Sequence, residues 1–168
     1  RIEHCSECPP EVLKEVKASG AMVVTQPGFI YQNGAKYLKQ VSGSLIPHLY
    51  PLASLSRAGI VWAGSTDTPV SGINIAHAIY ASSTRKTEDG QTLGVEQKVS
   101  IAESLTAWTQ SSAYSCFRER QLGSVKSGQL ADIILLKEDP RSMESENLKN
   151  VEVMMTVVGG RVVWMGQS

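Results

Sequence analysis

The chain has 168 residues, with 16 Lys+Arg balanced by 16 Asp+Glu, and is 42% hydrophobic and 19% charged. This is the profile of a globular interior; a zero formal charge removes the electrostatic pull toward nucleic acid or an anionic membrane. No segment approaches the ~18 apolar residues of a spanning helix, and three cysteines are too few for a secreted disulfide framework. With no signal-peptide core in Arg1-Ile2-Glu3-His4, the expected setting is reducing and cytoplasmic.

Along the chain, a short apolar strand ends at His4, and Pro9-Pro10-Glu11 opens a helix with Pro and an acid in its first turn. Val12, Leu13 and Val16 give that helix one apolar face, and Gly20 is placed to stop it. Ala21 to Thr25 is the short apolar run of a doubly covered parallel strand, closed by Pro27-Gly28. Residues 27–50, with Asn33-Gly34 and Phe29, Tyr31, Tyr37 and Tyr50, are expected to form a long functional loop. A short helix from Pro51 to Ala58 stops at Gly59, and Ile60 to Ala63 is the next buried strand, ended by Gly64-Ser65-Thr66-Asp67.

Ile75, Ala76, Ile79 and Tyr80 share one face of the following helix, which leaves His77 facing solvent. Residues 86–98 are polar and Gly-punctuated, the composition of a surface loop. Ser100-Ile101-Ala102-Glu103 is a capping box heading a stripe of Ile101, Leu105 and Trp108. Trp62, Trp108 and Trp164 are expected in the core.

After about residue 121 the period changes. Ile133 to Leu136, Val151 to Val158 and Arg161 to Met165 read as strands, with Gly159-Gly160 as a two-residue hairpin loop. The chain therefore divides into an α/β part, residues 1–120, and a β part, residues 121–168. At ~30 residues per βα unit the first part holds about three units, against eight in a closed barrel of ~250 residues. Three units leave an open edge and an uncovered sheet face, to be covered by a second copy or by a missing N-terminal portion.

His4 and Asp67 stand out because each follows an apolar strand, at the end where α/β proteins assemble their sites. In a barrel, alternate strands feed one layer, so the first and third strands can aim them at one point. Imidazole and carboxylate suit Zn²⁺ or a similar divalent ion, and a carboxylate can also deprotonate water. Spacing alone equally allows a hydrogen-bonded His and a turn or N-cap Asp ahead of Thr68-Pro69.

Four motifs occur in order over essentially the whole chain: Arg1-Ile2-Glu3-His4; Gly64-Ser65-Thr66-Asp67-Thr68-Pro69-Val70; Gly123 to Ile133; and Thr156 to Val163. Together they resemble the metal-dependent amidohydrolases, in particular amidohydrolase family 3, which includes N-substituted formamide deformylases. The resemblance implies an α/β fold that is the C-terminal portion of a TIM barrel, about strands six to eight, followed by strands of a small β-sandwich. It implies that His4 is the metal-ligating histidine of strand six. Asp67 is then the strand-eight aspartate, a metal contact and general base. Thr66 stands where many members carry Ser. The His-x-His of strand one, the bridging Lys or acid and the strand-five His have no counterparts in these 168 residues, so the implied metal site is incomplete here.

Gln26 ends the middle strand and is a candidate substrate contact at the same mouth. His48 is either a substrate contact or an ordinary loop His. Arg85, in a Thr84-Arg85 pair resembling a family motif, is either a substrate or a structural arginine. Cys5-x-x-Cys8 directly follows His4 and could be a redox pair, a zinc half-site or a neighbour of a metal, although no thioredoxin-like strand precedes it. Two functions from different classes follow: a hydrolase of non-peptide carbon–nitrogen bonds acting on a small amide-type substrate, or a truncated non-catalytic module that folds and self-associates.

Overall fold

The structure is a computed structural model that describes residues 1–166. Residues 167 and 168, the last two of the expected β part, lie outside it. Three short strands, β1 (Ile2–Glu3), β2 (Val23–Thr25) and β3 (Trp62–Gly64), form a parallel sheet in the order β1-β2-β3. Parallel neighbours need long crossovers, and helices supply them. Helix α1 (Pro10–Ser19) links β1 to β2, with Pro at its start, Glu11 in the first turn, Lys17 in the last and Gly20 left-handed at φ 69°.

Between β2 and β3 the expected long loop is instead mostly helix: α2 (Gly28–Gln40), a 3₁₀ turn at Ile46–His48, and α3 (Leu52–Arg57). Asn33-Gly34, a turn signal by composition, lies inside α2. Glycine is disfavoured there by ~1 kcal/mol on propensity alone. A Cβ at position 34 would collide with the Thr87 methyl, so close packing selects the glycine that local sequence reads as a turn. Tertiary contact has overridden the local signal.

The register aligns Ile2, Val23 and Trp62 across the sheet. On that face Val23 and Trp62 pack with Val16, Leu52, Leu55, Ile60 and Val99. One residue on, Val24 and Ala63 alternate to the other face. That face is not bare as expected: Val24 and Ala63 are 8% and 1% exposed. The edges of β1 and β3 remain unpaired among the described residues.

Helix α4 (Ile75–Thr84) starts at Asn74, whose side chain caps the Ala76 N–H at 3.0 Å. Its buried face runs through Ala78, Tyr80 and Ala81, while Ile75 is exposed, a rotation from the expected stripe. A second core joins α2 and α4: Ile30, Tyr31, Leu49, Tyr50, Tyr80, Ala81, Leu93 and Leu148. Leu93 and Gln97 are buried, so residues 86–98 are not a free surface loop; they fold back over Arg85. Helix α5 (Ile101–Trp108) carries the expected capping box at Ser100 and Glu103, and α6 (Gln110–Ser115) follows.

The C-terminal strands β4 (Ile133–Leu136), β5 (Val153–Val158) and β6 (Arg161–Met165) form an antiparallel sheet. Gly159 and Gly160, at φ 56° and 77°, make the two-residue turn between β5 and β6. Leu148, in a 3₁₀ stretch before β5, is fully buried beside α4, and the Tyr80 hydroxyl donates to Glu146 at 3.0 Å. Trp164 is 49% exposed, contrary to the core expectation, because all of β6 is exposed. No helix among the described residues is long and apolar enough to cross a membrane.

Candidate functional site

The site is built where the parallel strands end. His4 still donates its backbone N–H to the Val24 carbonyl at 2.7 Å, in step with β1–β2 pairing. Its own φ is 69° and that of Cys5 is 46°, so the chain leaves the strand through two left-handed residues. Strict alternation would place His4 with Ile2 on the helix-packed face. The turn releases it, and its exposed imidazole meets Gln26, with Nδ1 2.9 Å from Oε1. Gln26 is the first residue past β2 and is only 2% exposed.

Asp67 lies three residues past β3, also left-handed, at φ 56°. Ser65 Oγ accepts from its N–H at 3.3 Å, and its carbonyl accepts from Val70 N–H at 2.8 Å. The Thr66 and Thr68 hydroxyls bond at 2.9 Å, and Ser71 Oγ donates to the Thr66 carbonyl. Asp67 is thus a turn residue through its backbone, while its half-buried carboxylate has no hydrogen-bond or ion-pair partner among the described residues. Left-handed non-glycine residues are uncommon and cluster at functional sites. His4, Cys5 and Asp67 put three of them at the same ends of β1 and β3.

The other candidates divide. His48 closes the 3₁₀ turn, and its carbonyl accepts from Cys8 N–H at 3.0 Å. Arg85 is fully buried, and its guanidinium donates to the carbonyls of Leu93, Tyr50 and Leu49 at 2.9, 2.9 and 2.8 Å. Of its two readings, these contacts are the structural one. Burial lowers the guanidinium to about 10, with Glu96 opposing the shift. Cys8 is buried, and burial together with the Cys5 thiol pushes it up to about 12, the reverse of an activated thiolate. His77, expected in solvent, is half-buried against Tyr31, with ring centroids 4.3 Å apart.

As metal donors, His4 and Asp67 have fitting chemistry: an exposed imidazole and an unpartnered carboxylate. Among the described residues no group of three or more His, Cys, Asp or Glu side chains is clustered to hold an ion. The structure brings His4 to Gln26 and no hydrogen bond joins His4 to Asp67 among those residues. Two features escaped sequence reasoning: the Ser65 contact that supports Asp67, and the Arg85 carbonyl cluster. Gln26 was legible as a strand-end residue, but its partner was not, since the pairing depends on the left-handed turn at His4.

A family model described as the amidohydrolase family matches residues 1–164. The chain belongs to that family. It is 25% identical over 162 residues to the N-substituted formamide deformylase of Arthrobacter pascens, covering 95% of this chain and 30% of the relative. A metal-dependent hydrolase structure from Pyrococcus horikoshii OT3 superposes with a TM-score of 0.75 at 24% identity, over 87% of this chain and 30% of that one. Another, from Pyrococcus furiosus, gives 0.71 at 26% identity, over 84% and 29%. The chain spans about a third or less of the curated relatives it matches.

Proposed function

We propose that this chain is the C-terminal portion of a metal-dependent hydrolase of non-peptide carbon–nitrogen bonds, of amide or N-formyl type. In this reading residues 1–120 supply about strands six to eight of a TIM barrel, and residues from 121 on supply strands of a small β-sandwich. The observation that carries it is the placement of His4 and Asp67 on left-handed turns at the same ends of two parallel strands, in a chain whose residues 1–164 match the amidohydrolase family. Support for a metal comes from the names of the structural neighbours and from the donor chemistry of these two side chains.

When bound, a divalent cation, zinc in this reading, supplies charge that polarises a carbonyl and acidifies water. His4 and Asp67 are the residues that would hold such a cation, the imidazole as a neutral donor and the carboxylate as a charged one. Asp67 then takes a proton from the attacking water and passes it to the leaving nitrogen. The self-supporting 65–71 turn keeps the carboxylate positioned for both transfers.

The test uses the longest natural polypeptide that contains this sequence. Asp67→Asn should lower hydrolysis of amide or N-formyl substrates by ~10²–10⁴-fold while the melting curve is unchanged. His4→Ala should lower the metal content per chain. Wild-type turnover in a metal-replete Asp67→Asn protein overturns the role given to Asp67.

A further inference from the structure

We infer that Gln26 is the positioning residue of His4: its buried amide fixes the imidazole as the Nδ1–H tautomer and leaves Nε2 with the free lone pair. The inference rests on the reading of His4 as a metal ligand and deepens it, because a nitrogen can ligate only through a lone pair. It also moves Gln26 from substrate contact to support of the histidine.

Three observations carry it. The first is the contact itself: Gln26 Oε1 lies 2.9 Å from His4 Nδ1. An amide oxygen only accepts, so the ring nitrogen facing it carries the proton. The second is the contrast in burial, with the amide 2% exposed and the imidazole exposed. The group that orients is held in the fold, while the residue it orients is exposed.

The third is that both backbones are anchored. His4 N–H is bonded to the Val24 carbonyl at 2.7 Å, and the Gln26 carbonyl accepts from Phe29 N–H at 3.0 Å in the first turn of α2. The two side chains therefore meet from adjacent paired strands, not from mobile loops. Ligating histidines commonly give their other ring N–H to an acceptor of this kind, which sets tautomer and orientation. A neutral amide does so without adding charge.

The experiment is ¹⁵N NMR of the histidine rings in the 168-residue chain without metal, on the alkaline side of imidazole titration, with His4 assigned by His4→Ala. The wild-type His4 should show a protonated Nδ1 and an unprotonated Nε2. Gln26→Leu should return the ring to the Nε2–H-dominated mixture of free imidazole, and Gln26→Glu, which keeps an acceptor, should restore the Nδ1–H form. In a Zn²⁺ titration of the longest natural polypeptide that contains this sequence, followed at the same resonances, Gln26→Leu should raise the midpoint by about 10–100-fold, and Gln26→Glu should bring it back.

A wild-type His4 protonated on Nε2 overturns the inference and leaves the metal reading intact. So does a Gln26→Leu chain, dispersed like wild type, whose tautomer is unchanged. A Nδ1–H tautomer whose ring resonances do not respond to Zn²⁺ in the longest natural polypeptide containing this sequence overturns the metal reading while Gln26 keeps its orienting role. If Gln26→Leu does not fold, the wild-type and Gln26→Glu spectra decide.

Discussion

Arg85 Nη1 donates to the Tyr50 carbonyl at 2.9 Å, across 35 positions of sequence. Tyr50, left-handed at φ 45°, gives its own N–H to the Ser6 carbonyl at 2.7 Å. The buried guanidinium therefore stands two hydrogen bonds from the turn that follows His4. It holds the segment against which residues 6–8 are laid, and its three carbonyl acceptors balance the burial of its charge.

Replacing Arg85 strands buried acceptors. Each buried carbonyl left without a donor costs ~1–3 kcal/mol. Arg85→Met should thus lower the unfolding free energy by about 3 kcal/mol or more. Arg85→Lys should recover only part, since a single ammonium cannot reproduce the planar fork that reaches Leu49, Tyr50 and Leu93. Urea denaturation checks this; an Arg85→Met protein within about 1 kcal/mol of wild type would remove the anchoring role.

Glycine in α2 offers a sign test. In an open helix Gly→Ala stabilises by ~1 kcal/mol. At Gly34 it should destabilise, because the new Cβ meets the Thr87 methyl. Thr87→Ser removes that methyl and keeps the hydroxyl, so Gly34→Ala with Thr87→Ser should be more stable than Gly34→Ala alone. Additive effects in this double-mutant cycle would mean that the two sites are not in contact.

The cysteines should differ in reactivity. Cys116 is exposed and Cys8 buried with its thiol raised to about 12, so alkylation at neutral pH should label Cys116 first and Cys8 last. In the unfolded chain Cys8 ionises near ~8.5. Above that the unfolded state loses a proton that the folded state keeps, so this contribution to stability declines as pH rises toward about 12. Mass spectrometry of partly alkylated protein gives the order; early labelling of Cys8 would contradict its burial.

The isolated chain should self-associate. Val162, Val163, Trp164 and Met165 are 56%, 59%, 49% and 65% exposed, beside Ile134 and Leu135 on the same small sheet. An apolar antiparallel sheet with open edges invites pairing with another copy. Light scattering at micromolar concentration should report species above the 18.2 kDa monomer. A monodisperse monomer would show that this surface is tolerated in water.

Local sequence alone determined the elements whose causes are local. The Pro10–Gly20 helix signals, the Ser100–Glu103 capping box and the Gly159-Gly160 turn all appear as read, because caps and two-residue turns depend on side chains within a few positions. The position of His4 and Asp67 just past strand ends is legible for a similar reason, since strand ends can be counted from apolar runs. Tertiary structure decided the rest. Gly34 sits inside a helix because Thr87 packs on it, and Leu93 is buried because Arg85 reaches its carbonyl. Gln26 finds His4 only because two left-handed residues turn the chain out of β1. Each of these outcomes depends on atoms 8 to 53 positions away in sequence, and a local pattern carries no record of such partners.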